Sequence, residues 1–266
     1  MIPHTLTIAG SDCSGGAGIQ ADLKTFSALG TYGMSVITAL TAQNTQGVQA
    51  VHAVPAAFVT AQCQAVFSDI RVDAVKIGML ADTAIIAAVA DALSEWRPAC
   101  VVLDPVMVSK NGHRLLADSA IDALRRHLLP QASIVTPNLP EAAALLGCDE
   151  ATTETEMVEQ GRHLLKAGCQ AVLMKGGHLS GSNSPDWLIT PQEAIPFTAP
   201  RIQTKNTHGT GCTLSSAIAA LYPRYKNWPE TIAHAKTWLS GALAQADQLD
   251  VGHGIGPVHH FYQWWQ

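Results

Sequence analysis

The sequence predicts an α/β fold with a central, mostly parallel sheet between two layers of helices. Two observations carry that expectation. Short apolar runs alternate with longer amphipathic stretches along the whole chain, the order that strand–helix–strand units produce. The apolar runs themselves do not alternate, as Val101-Val102-Leu103 shows, and unbroken apolar strands are those buried on both faces. In chain order the pattern places strands at His4–Ala9, Ser35–Ala42, Ala74–Ile77, Cys100–Leu103, Ser133–Val135 and Ala171–Met174. Helices fall at Ile19–Leu29, Pro55–Ser68, Thr83–Trp96, Ser119–Leu129, Leu139–Leu146, Glu154–Ala167, Thr213–Leu221 and Glu230–Leu249. The last shows its period well, with Ile232, Ala235, Leu239, Ala242, Leu243 and Ala246 on one face. The polar loop Ser180–Pro185 leads into an edge hairpin, Asp186–Thr190 with Ala194–Phe197. The acidic stretch Asp149–Glu159 reads as a solvated loop and helix start, where carboxylates suit the helix dipole.

Composition narrows the function. The chain has 266 residues, 47% apolar and 14% charged, with a net charge of −5. So few charges in so apolar a chain imply a large core and exclude a disordered one. A chain of this length and class is expected to form one domain, residues 1–266. No basic stripe exists to grip nucleic acid. No stretch matches the roughly 20 apolar residues of a membrane span, and Met1–Gly10 lacks the basic and apolar regions of a secretory leader. The six cysteines are scattered, without zinc spacing, and are expected to be reduced thiols of a cytoplasmic protein.

In open parallel sheets, ligands bind at the carboxyl ends of the strands. Here those ends carry Gly10–Gly18, Gln43-Asn44, Gly78-Met79, Asp104-Pro105, Asn138 with Glu141 one turn later, and Lys175-Gly176-Gly177. Each alone has a structural reading: Asp104 as a cap, Asn138 with Glu141 as a capping pair, Lys175 as a surface charge. An amide, two acids and a lysine on one rim make a site the better reading. Gly16–Ala21 matches a relaxed dinucleotide fingerprint, but no acid occurs between Asp22 and Asp69, so a nicotinamide-dependent oxidoreductase is rejected. Thr207-His208-Gly209-Thr210-Gly211-Cys212 runs into an apolar helix, and free N–H groups there form an anion site. A thiol at that first turn, Cys212, is expected to have a lowered pKa. Cys212 with His208 is a poor signal for a cysteine hydrolase, since the two are four residues apart across a glycine turn.

These segments resemble a known family. Thr7–Asp12 with Ser14–Thr25, Thr38–Thr45, Lys76–Leu80, Leu103–Met107, Thr136–Ala142, Lys175–His178 and Gly209–Cys212 look, in order and over nearly the whole chain, like the motifs of hydroxymethylpyrimidine/phosphomethylpyrimidine kinases of the ribokinase superfamily. The resemblance implies a ribokinase-like three-layer sandwich, usually dimeric. It implies two successive phosphorylations from ATP, of 4-amino-5-hydroxymethyl-2-methylpyrimidine and then of its monophosphate, in thiamin biosynthesis. Pyridoxal kinase is the alternative within the superfamily, and a silent pyrimidine sensor is disfavoured by the intact set of site residues.

On that resemblance, Lys175 meets the donor phosphates, and Asp104 and Glu141 serve Mg²⁺, with Asn138 beside them. The Gly209, Thr210 and Gly211 amides hold the transferring group and Cys212 acts as base, while Asn138, Thr207, Gly209 and Gly211 also contact the nucleotide. Gln43, whose amide both donates and accepts, reads the aminopyrimidine, with Gly10, Asp22, Met79 and Val106 completing the pocket. Asp22 is equally readable as an internal hydrogen-bonding residue. Gly252–Pro257 is expected to flank the nucleotide, His259, His260 and Trp264-Trp265 to pack, and Val108–His113 to be a lid or a surface turn.

Overall fold

The computed structural model describes residues 1–107, 116 and 118–265. The proposed lid segment, Val108–His113, lies outside the described residues. An eight-stranded sheet organises the rest, in the order β10-β9-β8-β7-β6-β5-β1-β2. Its parallel part is β1 His4–Ala9, β2 Tyr32–Ile37, β5 Ala74–Ile77, β6 Val101–Leu103, β7 Ile134–Val135 and β8 Val172–Lys175. The hairpin β9 Asn183–Ile189 and β10 Ala194–Pro200 adds two antiparallel strands at one edge. β3 Ala39–Asn44 and β4 Gly47–Ala53 form a separate antiparallel pair.

Helices cover both faces because strand residues are apolar in both directions. On one face Leu6, Ile8, Val75, Ile77, Val101 and Leu103 pack under α2 Ala56–Phe67, α3 Thr83–Trp96, α4 Asp118–Ala123, α5 Leu139–Leu146 and α6 Glu154–Lys166. On the other, Ala74, Val102, Ile134 and Leu173 pack under α1 Gly18–Ala28, α7 Thr210–Tyr225 and α8 Trp228–Ala244. Ile232, Ala235, Leu239 and Ala242 of α8 face this second core, the stripe its period predicted. α4 runs on through a π-helical turn, Leu124–Leu128, and a 3-10 turn, Leu129–Gln131. Thr153 and Glu156 cap α6 reciprocally, which accounts for the acidic stretch before it.

One predicted strand is divided. Ser35–Ala42 breaks at Thr38, whose N–H donates to Ala9 O (3.0 Å) and whose hydroxyl donates to Met79 O (2.6 Å). The chain leaves the sheet there, and β3 continues into the β3–β4 arm. Burial alternates along β3, with Ala39 and Thr41 buried and Leu40 and Ala42 exposed, while β4 is exposed over most of its length and carries no periodic signal.

Candidate active site

All the parallel strands end on one rim, and a cavity of about 910 Å³ opens there. The sheet order spreads its wall. Gly10 after β1, Gln43 on β3, Met79 after β5 and Val106 after β6 line one end. His178, Ala199, Arg201 and Ile202, from the β8–β10 edge, with Leu239 and Leu243 of α8, line the other. Asp104, Asn138, Glu141, Lys175 and the start of α7 lie between them. Thr207, Gly209, Thr210, Gly211 and Cys212 are all on the wall.

Gly209 is the N-cap of α7 with φ +77°, and a Cβ there would come within 1.8 Å of Gly16 O. Only glycine fits, and the close approach locks the two glycine-rich loops together. The helix dipole and first-turn amides therefore point into the middle of the cavity. Two serines on the next turn fix the helix. Ser215 donates to Asp104 Oδ2 (3.2 Å) and Ser216 to Asp22 Oδ1 (2.7 Å).

Charge is concentrated around Lys175. Its ammonium donates to Asp104 Oδ1 at 2.9 Å and lies 3.8 Å from Glu141 Oε2. The turn that follows is held open by Gly176, whose N–H donates to Asp186 Oδ1 (3.0 Å) and where a Cβ would strike Pro185 O. Asp186 is in turn paired with Lys236 of α8. Burial opposes the charge on Lys175, but Asp104 and Glu141 outweigh it and raise its pKa. Burial likewise opposes ionisation of Asp104, and Lys175 and Lys76 overcome it, leaving the carboxyl below its ordinary value. Glu141 goes the other way. Burial pushes it up to about 7 against the pull of Lys175, and the Asp104 charge adds to the rise.

Asn138 and Glu141 form a reciprocal capping box at the start of α5. Glu141 N–H donates to Asn138 Oδ1 and Asn138 N–H to Glu141 Oε2, both at 2.8 Å. The structural reading of this pair is therefore realised, and it is what aims Glu141 along the rim. Asp104 and Glu141 offer only hard oxygen donors. A divalent cation beside Asp104 would favour the ionised form of Glu141 against the burial that raises its pKa. Among the described residues no group of three or more His, Cys, Asp or Glu could enclose a metal. Two carboxylates, waters and phosphate oxygens are the mode in which Mg²⁺ is ordinarily held, so the residues fit that ion.

Two expectations are corrected. Asp22 does not line the cavity. It is fully buried, paired to the equally buried Lys76 at 2.9 Å, and accepts hydrogen bonds from Thr7 (2.6 Å) and Ser216. It is the internal residue of its two readings, anchoring α7 instead of touching a ligand. The Cys212 thiol is not lowered by its place at the helix start. Burial pushes it up to about 11, and Lys76 and the Gly18 N–H reduce that rise only in part.

The sequence missed several residues. Lys76 lies on the wall and is fully buried; its signal was a lysine inside the four-residue strand Ala74–Ile77. Asp12 and His208 meet at 2.7 Å across the two glycine loops, and His208 Nε2 lies 3.3 Å from the Gln43 amide. Arg201 donates to the carbonyls of Gly177, Leu179, Gly181 and Asn183 and so shapes the loop after β8. Gly252–Pro257 packs against the arm and the His208 loop, with Ile255 N–H on Thr45 O and His208 N–H on Gly256 O, both 2.9 Å. His260 is buried against Thr213 (3.1 Å), where burial holds it down at about 3, a packing role.

A helix N-terminus, a lysine and two carboxylates set between the two ends of one cavity make the arrangement of a phosphotransferase, which needs positioning and charge neutralisation more than covalent chemistry. The comparisons agree. A profile of the phosphomethylpyrimidine kinase family matches residues 12–259, and the chain belongs to that family. It is 65% identical to the hydroxymethylpyrimidine/phosphomethylpyrimidine kinase of Escherichia coli K12 over 262 residues, 98% of each protein. Among solved structures, it is similar to a phosphomethylpyrimidine kinase of Clostridium difficile 630 (44% identity, TM-score 0.81, 91% of this chain and 99% of that one). It also resembles a pyridoxal kinase of Bacillus subtilis in complex with ADP (35% identity, TM-score 0.91, 99% of each chain). The fold is ribokinase-like.

Proposed function

We propose that this chain transfers the terminal phosphoryl group of ATP to the hydroxymethyl oxygen of 4-amino-5-hydroxymethyl-2-methylpyrimidine. A second transfer then converts the monophosphate to the diphosphate, in thiamin biosynthesis. The observation that carries the reading is the single cavity whose two ends are separated by the α7 N-terminus. Its 910 Å³ lies near the top of the range for small-molecule sites, room for an acceptor and a nucleotide together. The acceptor end offers the Gln43 amide and apolar Met79 and Val106. The nucleotide end offers the wall from Ala199 to Ile202 and α8, with Asn138 and Thr207 nearer the phosphates.

Lys175 neutralises the donor phosphates, and the Gly209, Thr210 and Gly211 amides take the equatorial oxygens of the transferring group. Mg²⁺, held by Asp104 and Glu141, supplies charge neutralisation and phosphate orientation when bound. Cys212 receives the hydroxyl proton. It does so as the thiolate, the minor form of a thiol whose pKa burial raises; a loose transition state needs little deprotonation of the nucleophile, so that minor form suffices and positioning carries more of the rate than basicity. Residues 1–266 act as one kinase unit, in the cytoplasm, as a homodimer. Exposed Tyr32, Leu40, Val51 and Phe58 supply apolar surface for a second copy, and the mass in solution tests that state. A coupled assay of ATP turnover with hydroxymethylpyrimidine, its monophosphate and pyridoxal side by side tests the function. Turnover with both pyrimidines supports the reading, and turnover with pyridoxal alone overturns it.

A further inference from the structure

We infer that His208 fixes which end of the Gln43 amide faces the acceptor ring, and is thereby a positioning residue for substrate recognition. The inference rests on the reading that Gln43 meets that ring. The imidazole Nε2 lies 2.7 Å from Asp12 Oδ2 and 3.3 Å from Gln43 Nε2. At the other end of the amide, Gln43 Oε1 lies 3.1 Å from Thr41 Oγ1, which is also 2.9 Å from Ser11 O. Asp12, His208 and Thr41 are all buried.

Asp12 is an acceptor only. Its Oδ1 receives the N–H (2.9 Å) and O–H (2.6 Å) of Ser14, and its Oδ2 the N–H groups of Gly16 (3.1 Å) and Ala17 (2.9 Å). Burial opposes its ionisation, but the bonds from His208 and Ser14 outweigh burial and hold it down at about 2. A carboxylate with no proton leaves the 2.7 Å contact one solution: the hydrogen is on His208 Nε2. That is true of the neutral Nε2–H tautomer and of the imidazolium alike. Nε2 then has no lone pair to offer an amide N–H.

Heavy-atom positions alone do not distinguish the two ends of an amide; the neighbours do. With oxygen turned toward His208, Gln43 accepts a second branch of the Nε2–H bond, and its NH₂ donates to Thr41 Oγ1. The one Thr41 hydrogen is then free for Ser11 O, and the second N–H of Gln43 is left for the cavity. The opposite turn sets N–H against N–H and asks the Thr41 hydrogen to serve two acceptors. The ring is seated against Gly16, where any Cβ would lie 2.3 Å from His208 Cδ2, and its Nε2 is held by Asp12 at 2.7 Å. The donor–acceptor order that Gln43 presents to the cavity is therefore set by Asp12 through His208.

Two measurements on the intact protein test this. Long-range ¹H–¹⁵N correlation of the His208 ring at neutral pH should show Nε2 protonated; a bare Nε2 overturns the inference. The second is the ratio of kcat/KM for 4-amino-5-hydroxymethyl-2-methylpyrimidine over its 4-oxo counterpart, whose ring edge reverses donor and acceptor. His208→Leu should lower that ratio tenfold or more, mainly through KM, and His208→Gln, which keeps an N–H near the same place, should restore most of it. Loss of order in the anion loop would slow both substrates alike and cancel in the ratio. An unchanged ratio in folded His208→Leu overturns the inference; if that variant does not fold, the ring tautomer decides. Should neither pyrimidine be a substrate, the reading of Gln43 fails, while the tautomer still reports on the His208 geometry.

Discussion

Cys212 offers the sharpest test of the chemistry, because its environment and its position in the chain pull in opposite directions. Burial raises the thiol from 9.0 to about 11. Two units correspond to about 3 kcal/mol against the thiolate. At pH 8 the thiolate fraction falls from about one in ten to about one in a thousand. Since only the thiolate reacts with iodoacetamide, Cys212 should be alkylated about 100-fold more slowly than its unperturbed fraction would allow. Peptide mass spectrometry over pH 7–10 reads that rate, with exposed Cys13 in the same molecule as an internal control for reagent access. The Cys212 rate should climb about tenfold per pH unit with no plateau. A plateau below pH 8 would mean that the helix start dominates and burial does not. The base assignment is tested separately. Cys212→Ala should lose at least about 10²-fold in kcat, and Cys212→Asp should retain more activity than alanine. Alanine equal to or better than aspartate, in folded protein, would make the cysteine a filler of the core.

Other outcomes follow from named contacts. Lys76→Met strands a buried Asp22 and should destabilise the protein by about 3–5 kcal/mol in urea unfolding, whereas Asp22→Asn with Lys76→Met should recover most of the loss; equal stability of the two variants would mean the pair is not coupled. Glu141 has a folded pKa near 7, above its ordinary 4.5, so the native state holds its proton more tightly. Stability then falls as pH rises between those values, by on the order of 2–3 kcal/mol. Glu141→Gln should flatten that decline, and an unchanged pH–stability curve would contradict the raised value. Asp104→Ala and Glu141→Ala should shift the Mg²⁺ requirement upward in an activity titration; a superimposable curve would remove both from the metal. Gln43→Ala should raise KM for the pyrimidine with little change in kcat; a rise for ATP instead would put Gln43 on the other ligand.

The sequence made the strand-end residues legible because a parallel sheet places every such end on one rim, whatever the details of packing. Gly10, Met79, Asp104, Asn138, Glu141 and Lys175 meet around one cavity for that reason, while Gln43 reaches it from the β3–β4 arm, outside the parallel sheet. Contacts set by tertiary packing were not legible. Nothing local says that Asp22 on α1 turns inward to Lys76, or that burial raises the Cys212 thiol. The break at Thr38 depends on bonds to Ala9 and Met79, so the run Ser35–Ala42 read as one strand. His208 was noticed only as a partner for Cys212, since its bond to Asp12 spans 196 positions.

The products made from hydroxymethylpyrimidine test the kinase function most directly. Mass spectrometry of a time course with ATP and Mg²⁺ should show the monophosphate rising first and the diphosphate replacing it, both abolished in Lys175→Met. Formation of neither phosphate by folded wild-type protein, with pyridoxal phosphate formed instead when pyridoxal is supplied, would contradict it.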